Sequence, residues 1–236
     1  MNLPSINYPI LNIEVPSLKK KYRFRPFLVK EEKILLMAKE STEDSDIFVA
    51  IKQVISNCSI DQKLNIDRLC IFDLEYLFLK LRSSSVDNKI NVGYRDNEDS
   101  KVYNFDVNLE DIKIVFPEKN NKTIKITETS GIVMRYPSAA LYSDKEFLES
   151  EKEHLFKLIA RCIDQVYEGE QVYEASEFPI DQIETFLENL DIKTFEKVHQ
   201  FLLKTPKIEH VIEYENSLGN KRKIVLSSLN DFFTWR

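Results

Sequence analysis

The period at which apolar residues recur changes along the chain. This change is the sequence feature that most restricts which folds the chain can adopt. Apolar residues recur at helical spacing in residues 29–57, alternate with polar residues in residues 89–135, and return to helical spacing after Pro137. A period of three to four residues favours amphipathic helices, whereas alternation favours half-buried strands. The sequence therefore predicts an α+β fold, in which helices flank a central antiparallel β meander.

The most apolar segment, residues 70–81, is predicted to be a central helix. Its apolar residues form two adjoining stripes, Ile71, Leu74, Phe78 and Leu81 in one and Phe72, Tyr76 and Leu79 in the other. A helix that is apolar around most of its circumference is buried in a core. Asp73 and Glu75 are two residues apart and face different sides of this helix, so no paired-carboxylate site is predicted there.

The remaining secondary structure is predicted from the same spacing. Breaks in the alternation predict four or five strands, at residues 89–95, 101–107, 111–116, 122–128 and 131–135. One long helix is predicted from Leu148 and the apolar residues that follow it as far as Val166. Two further helices at residues 180–190 and 192–202 precede a closing hairpin of residues 208–214 and 221–226.

Two N-terminal helices are also predicted, at residues 29–40 and 44–57. In the first of them the predicted buried face consists of Ile34, Leu35, Met37 and Ala38. The charged residues of that helix, Glu31, Glu32 and Lys33, are predicted to lie outside.

These elements divide the chain into four predicted segments. They are an extended N-terminal arm (1–20), a strand plus helices (21–88), an antiparallel β region (89–136) and a helical region with a C-terminal β hairpin (137–236). Pro4, Pro9 and Pro16 exclude a helix in the arm, because proline fixes its own backbone and pushes the preceding residue toward extended geometry. The arm is expected either to pack along its own domain or to lie in a groove of a partner.

The composition excludes several classes of enzyme. The 236 residues include four glycines, where the usual share of ~7% would give about sixteen. No two lie close enough for a phosphate-binding or dinucleotide-binding loop. The three cysteines and three histidines are well separated, so no disulfide pair and no metal motif is predicted. Residues 83–85, a run of serines, are predicted to be the end of the central helix. We therefore expect no catalytic, cofactor-binding or metal-binding residues.

The charge is unevenly distributed, although the net charge is only −6. Residues 1–40 carry eight Lys/Arg against four Glu, whereas residues 144–191 carry fourteen Asp/Glu against four Lys/Arg. Such asymmetry suits oriented contact with charged neighbours, and two solvated faces would also produce it.

The basic segment, residues 19–25, suggests an alternative function in nucleic-acid binding. It contains Lys19, Lys20, Lys21, Arg23 and Arg25 together with two aromatic residues. In a strand, Tyr22 and Phe24 face away from Arg23 and its neighbouring cations, so bases could not stack on the charged face. A solvated edge or a protein contact is therefore favoured over a nucleic-acid partner.

The sequence predicts neither a membrane span nor an N-terminal secretory signal. No run of 18 apolar residues occurs, so no membrane span is predicted. The N-terminus lacks a basic region followed by an apolar run, so no secretory signal is predicted. The C-terminal aromatic residues 232–235 can either anchor an interface or fold back onto their own domain.

Four separated stretches of the sequence follow a recognisable pattern. The first, residues 22–36, reads YRFRPFLVKEEKILL, and the others are residues 72–82 (FDLEYLFLKLR), 162–169 (CIDQVYEG) and 229–233 (LNDFF). Together they resemble a family of baseplate proteins from T-even-type, contractile-tailed bacteriophages. This family comprises baseplate hub subunits and hub assembly proteins. The resemblance covers nearly the whole chain, and none of the four stretches is a catalytic motif.

The resemblance implies a non-enzymatic baseplate hub protein, acting in hub assembly as a structural subunit or an assembly factor. The implied partners are other phage baseplate hub proteins, and self-association into a homo-oligomer is a further expectation. The implied locations are the host cytoplasm during assembly and the tail baseplate of the virion. A nucleic-acid-binding regulator that uses residues 19–25 and a hydrolase with an unrecognised site remain the alternatives.

Overall fold

The computed structural model describes residues 7–40, 44–118, 120–144, 147 and 154–232. In this part of the chain, helices alternate with small antiparallel sheets, which confirms the predicted α+β class. The chain divides into two compact units. Unit 1 comprises residues 1–115 and 207–236, and unit 2 comprises residues 116–206. Unit 2 is thus inserted in the sequence of unit 1, and these boundaries differ from those of the four predicted segments.

The strands of unit 1 form two hairpins and a three-stranded sheet. β1 (Leu11–Val15) pairs with β2 (Lys20–Phe24), and β3 (Lys89–Arg95) pairs with β4 (Val102–Asn108). β5 (Lys113–Val115) pairs with β10 (Lys207–Glu215), which pairs in turn with β11 (Lys221–Leu226). The helices of this unit are α1 (Val29–Lys39), α2 (Asp44–Cys58), α3 (Ile71–Ser85) and α7 (Leu229–Phe232). Residues 11–15 of the predicted arm therefore pair with a strand of their own domain.

The core of unit 1 is built around α3, which confirms the predicted central helix. Its buried apolar side chains are Phe72, Leu74, Leu77, Phe78, Leu79 and Leu81. Phe78 is fully buried, and its ring centroid lies 5.6 Å from that of Phe27. Because burying one such side chain stabilises a fold by about 1.5–3 kcal/mol, α3 contributes much of the apolar stabilisation of this unit.

In the described residues of unit 2, a four-stranded antiparallel sheet combines with three α-helices of eight residues or more. The strand order is β6 (Thr123–Lys125), β7 (Ser130–Met134), β8 (Ile163–Glu168) and β9 (Gln171–Glu174). The helices are α4 (His154–Arg161), α5 (Ile180–Glu188) and α6 (Ile192–Leu203). Their shared core includes Ile132, Met134, Ile159, Cys162, Ile163, Ile183, Leu187, Val198 and Phe201. Asp191 caps α6 by accepting hydrogen bonds from the Lys193 and Thr194 amides.

Two predicted details differ from the structure. The strands of residues 89–136 do not form one meander, because β5 pairs with β10 and β7 pairs with β8, both distant in the sequence. The long helix predicted around residues 148–166 is also wrong, since α4 ends at Arg161 and Val166 lies in β8. Strand β8 has hydrogen-bonded partners on both sides, and this pairing outweighs the helical spacing of its apolar residues. Leu148 lies outside the described residues.

Candidate interaction surfaces

The residues with intrinsic chemical reactivity are dispersed through the two units. Burial raises the pKa of the Cys58 thiol to about 12, so this thiol remains protonated and unreactive near neutral pH. Across the ranges that the structure describes, no group of three or more His, Cys, Asp or Glu side chains could hold a metal ion. The hydroxyls of Ser84 and Ser85 donate to carbonyl oxygens one turn earlier in α3, as predicted for the end of that helix.

The buried carboxylate of Asp73 fastens the turn between β1 and β2 to α3. It accepts hydrogen bonds from the Ser17 amide at 2.9 Å and from the Ser17 hydroxyl at 2.5 Å. It also accepts one from the Cys70 amide at 3.1 Å, at the start of α3. Burial raises the pKa of Asp73, and these hydrogen bonds oppose part of that rise. Sequence spacing did not indicate this role, because it depends on a contact across 56 residues.

Glu75 makes a separate contact, with the C-terminal helix α7, so the prediction that Asp73 and Glu75 face different sides is confirmed. The Glu75 carboxylate accepts a hydrogen bond from the Leu229 amide at 3.4 Å. Burial raises the pKa of Glu75 to about 7, and the negative charge of Asp231 adds to the rise. Of the C-terminal aromatic segment, residues 232–235, Phe232 is buried, and residues 233–235 lie outside the described residues.

Two of the five cations in the basic segment are engaged in ion pairs that hold unit 1 together. Arg23 lies 2.7 Å from a carboxylate oxygen of Asp61, and Arg25 lies 2.9 Å from one of Glu31. Glu31 is fully buried. Burial alone would raise the pKa of Glu31, but the hydrogen bonds from Arg25 and from a backbone amide outweigh it, so this pKa is lowered. The lysines at positions 19–21 remain exposed, so the charged surface is smaller than the sequence suggested.

Helix α1 exposes apolar residues that the spacing did not predict. Glu31, predicted to lie outside, is fully buried, whereas Met37, predicted to lie inside, is 65% exposed. The ion pair between Glu31 and Arg25 fixes this orientation of the helix, and of the predicted apolar face Leu35 is buried. Val29, Leu36 and Met37 are exposed at positions that share one face of α1, and we call them the α1 strip.

Unit 2 carries an open apolar groove, which we call the unit 2 groove. Its volume is about 470 Å³, and it lies between the β8–β9 hairpin and α5. Apolar and aromatic residues make up most of its lining, notably Val166, Tyr173, Phe178, Ile183, Phe186 and Leu190. Ile183 is also part of the unit 2 core, so the floor of the groove is continuous with that core. The spacing of apolar residues did not predict this groove, because it did not predict strands β8 and β9.

Gly131 determines how one wall of the groove is built. It lies opposite Tyr167 in the pairing of β7 with β8. A Cβ atom at this position would overlap the Tyr167 hydroxyl and would lie 2.6 Å from the carbonyl oxygen of Ile124. Glycine therefore allows the Tyr167 ring to lie close against β7, where it lines the groove.

A family model of known proteins matches the chain. That model is described as the T4 bacteriophage base plate protein, and it matches residues 8–234, which span both units. No curated protein and no solved structure matches the chain significantly. No helix among the described residues has the length and apolarity needed to cross a membrane. The match covers nearly the whole chain and confirms the resemblance seen in the four sequence stretches. The chain therefore belongs to the T4 bacteriophage base plate protein family.

Proposed function

We propose that this phage baseplate protein acts, without catalysing a reaction, in assembly of the central hub of a contractile tail. The observation that carries the proposal is the family match over residues 8–234. It is supported by the four sequence stretches that resemble hub subunits and hub assembly proteins. The partners we propose are other hub proteins of the same baseplate.

The positions of the four stretches support a role in which a rigid framework presents binding surfaces. Residues 22–36 contain the Arg25–Glu31 ion pair, residues 72–82 form most of the central helix, and residues 229–233 include the start of α7, which contacts Glu75. Residues 162–169 supply β8 and with it Tyr167 in the unit 2 groove. The stretches therefore correspond to packing and ion-pair contacts rather than to a reaction centre.

The α1 strip is the feature of unit 1 best suited to bind a partner. Val29 and Met37 are 88% and 65% exposed, and burying each on association would remove apolar surface from water at about 25 cal/mol per Å². Exposed apolar residues grouped on one helix face mark protein contacts more often than scattered single ones do.

Deletion and complementation test the proposed role. We expect that deleting the gene stops hub assembly, measured as loss of complete baseplates on sucrose gradients, and that the wild-type gene restores it. A variant with Leu36→Ser and Met37→Ser should restore it poorly, whereas Val86→Ser, which changes an exposed valine outside α1, should restore it fully. Normal baseplates in the deletion strain would contradict the proposal.

Mass spectrometry of purified virions distinguishes a structural subunit from an assembly factor. A structural subunit persists in the particle at a fixed ratio to other baseplate proteins, whereas an assembly factor is absent from it. Family membership supports a location in the tail of the virion. We propose the host cytoplasm as the site where assembly takes place.

A further inference from the structure

Most residues that line the unit 2 groove belong to a stretch of chain with no positive charge. Residues 162–192, which include β8, β9 and α5, contain nine Asp and Glu residues and no Lys, Arg or His. Arg135 and Arg161 pair with two of these acids, Asp164 and Glu184. Among the described residues that line the groove, the only charged one is Glu168. The remaining acids leave an excess of negative charge in the elements that form the groove.

The apolar surface of the groove extends onto its rim. Tyr173 and Phe178 are 38% and 37% exposed, and their ring centroids are 6.3 Å apart. Aromatic side chains that remain this exposed offer anchoring contacts to a partner, because large rigid side chains lose little conformational entropy when they are covered.

We propose that the unit 2 groove binds a cationic segment of another baseplate protein, in which Lys or Arg residues flank apolar side chains. This inference rests on the proposed function for the source of its partner. The apolar side chains of the segment would cover Tyr173 and Phe178, and its cations would lie near Glu168 and the other acidic residues of the surrounding elements. Complementary charge raises the rate of encounter and rejects acidic segments, while the apolar contacts supply most of the affinity.

The size and lining of the groove favour a polypeptide over a small molecule. Its volume of about 470 Å³ lies within the range of roughly 300–1,000 Å³ typical of binding pockets. Small-molecule pockets, however, enclose most of the surface of their ligand. This groove is open, and its apolar surface continues onto the rim at Tyr173 and Phe178, as a longer occupant requires.

The net charge argues against a second copy of this chain as the occupant. Each copy carries a net charge of −6, so two copies repel each other, whereas a cationic partner is attracted. Like charges brought together at an interface oppose association, which makes the groove selective for partners of opposite sign.

Peptide binding to the purified full-length protein tests the inference. The probes are fluorescent 15-residue peptides that tile the other baseplate proteins of the phage and this chain itself, measured by fluorescence anisotropy. We expect a few peptides with Lys or Arg beside apolar residues to bind, and their affinity to fall as salt is raised from about 0.1 M to about 0.5 M. The groove variant Tyr173→Ser with Phe178→Ser should weaken binding by about tenfold or more.

Matched variants separate the groove from the rest of the surface. Ile192→Ser with Leu203→Ser removes apolar side chains of α6 that are more exposed than Tyr173 and Phe178 but do not line the groove, and it should leave binding unchanged. Glu168→Lys should weaken binding of the cationic peptides, whereas Glu213→Lys in unit 1 should not. Circular dichroism checks that each variant is folded.

Three results would overturn the inference. The first is that only neutral or acidic peptides bind the protein. The second is that only peptides from this chain bind it. The third is that the groove variant binds the peptides with unchanged affinity. If no peptide binds while deletion of the gene still abolishes hub assembly, the groove inference fails and the proposed function stands.

Discussion

Replacing Glu75 by glutamine should stabilise the protein at alkaline pH. Glu75 is 8% exposed, and it accepts a hydrogen bond from the Leu229 amide with the negative charge of Asp231 nearby. Its carboxylate is therefore poorly solvated, and the Leu229 hydrogen bond offsets only part of the lost solvation. As a result, its pKa is raised from 4.5 to about 7. Glutamine keeps the shape of the side chain and an oxygen that accepts the Leu229 hydrogen bond, but it carries no charge.

The magnitude follows from the difference in pKa between the folded and unfolded states. The folded protein binds the Glu75 proton more tightly, so the stability from this group is fully present below about pH 4.5 and is lost as pH rises through 7. At about 1.4 kcal/mol per pKa unit, the rise corresponds to about 3 kcal/mol. We expect Glu75→Gln to gain about 2–3 kcal/mol near pH 8.5 and close to nothing near pH 4.5.

Urea unfolding followed by circular dichroism measures this difference at the two pH values. The matched control is Glu213→Gln, which changes an exposed glutamate of the same unit. This control should change the free energy of unfolding by less than about 0.5 kcal/mol at either pH. A Glu75→Gln variant that is no more stable than the wild type near pH 8.5 would show that Glu75 is better solvated than its burial indicates.

Three further substitutions test the packing. Phe78→Ala should lower the free energy of unfolding by about 3–5 kcal/mol, and a loss below about 1 kcal/mol in urea unfolding would mean that α3 is not central. Asp73→Ala should lower the free energy of unfolding by about 1–3 kcal/mol for each amide left without an acceptor. This loss should exceed that of Ser17→Ala in the same assay. Equal losses would argue against the Asp73 contact. Gly131→Ala should lower the melting temperature measurably through overlap with the groove wall, whereas Gly93→Ala, with its nearest neighbour atom at 3.3 Å, should be milder. The reverse order would contradict the arrangement around Gly131.

The elements with strong, local patterns could be predicted from the sequence. Helices α3, α5 and α6 and the β10–β11 hairpin all lie close to their predicted positions. In each, the apolar spacing, a cap such as Asp191 or a turn that contains Gly219 is readable within a short window of sequence. Interactions between residues close in the sequence are sufficient to predict elements of this kind.

The pairing of strands could not be predicted in the same way. The partner of β5 is β10, which lies 92 residues away for the pair Lys207 and Val115. β8 was mistaken for helix because Cys162 and Val166 are four residues apart, a spacing that places two residues on one face of either a helix or a strand. Gly169, which adopts a positive φ in the turn between β8 and β9, was a local sequence signal that could have indicated a hairpin.

The candidate surfaces were harder to predict than the fold. Exposure of Met37 depends on burial of Glu31, and that burial depends on an ion pair with Arg25 from a different element. The unit 2 groove likewise exists only because β8, β9 and α5 meet. The acidic character of residues 144–191 was visible in the sequence, but the apolar groove beside those charges was not.

We propose that the protein works by binding other baseplate hub proteins. The most direct test is native mass spectrometry of the full chain co-expressed with the hub proteins of its phage and purified by size exclusion. We predict a complex of fixed stoichiometry with at least one hub protein, which dissociates when the α1 strip carries Leu36→Ser and Met37→Ser. Recovery of the chain free of every hub protein, under conditions in which those proteins assemble with one another, would contradict the claim.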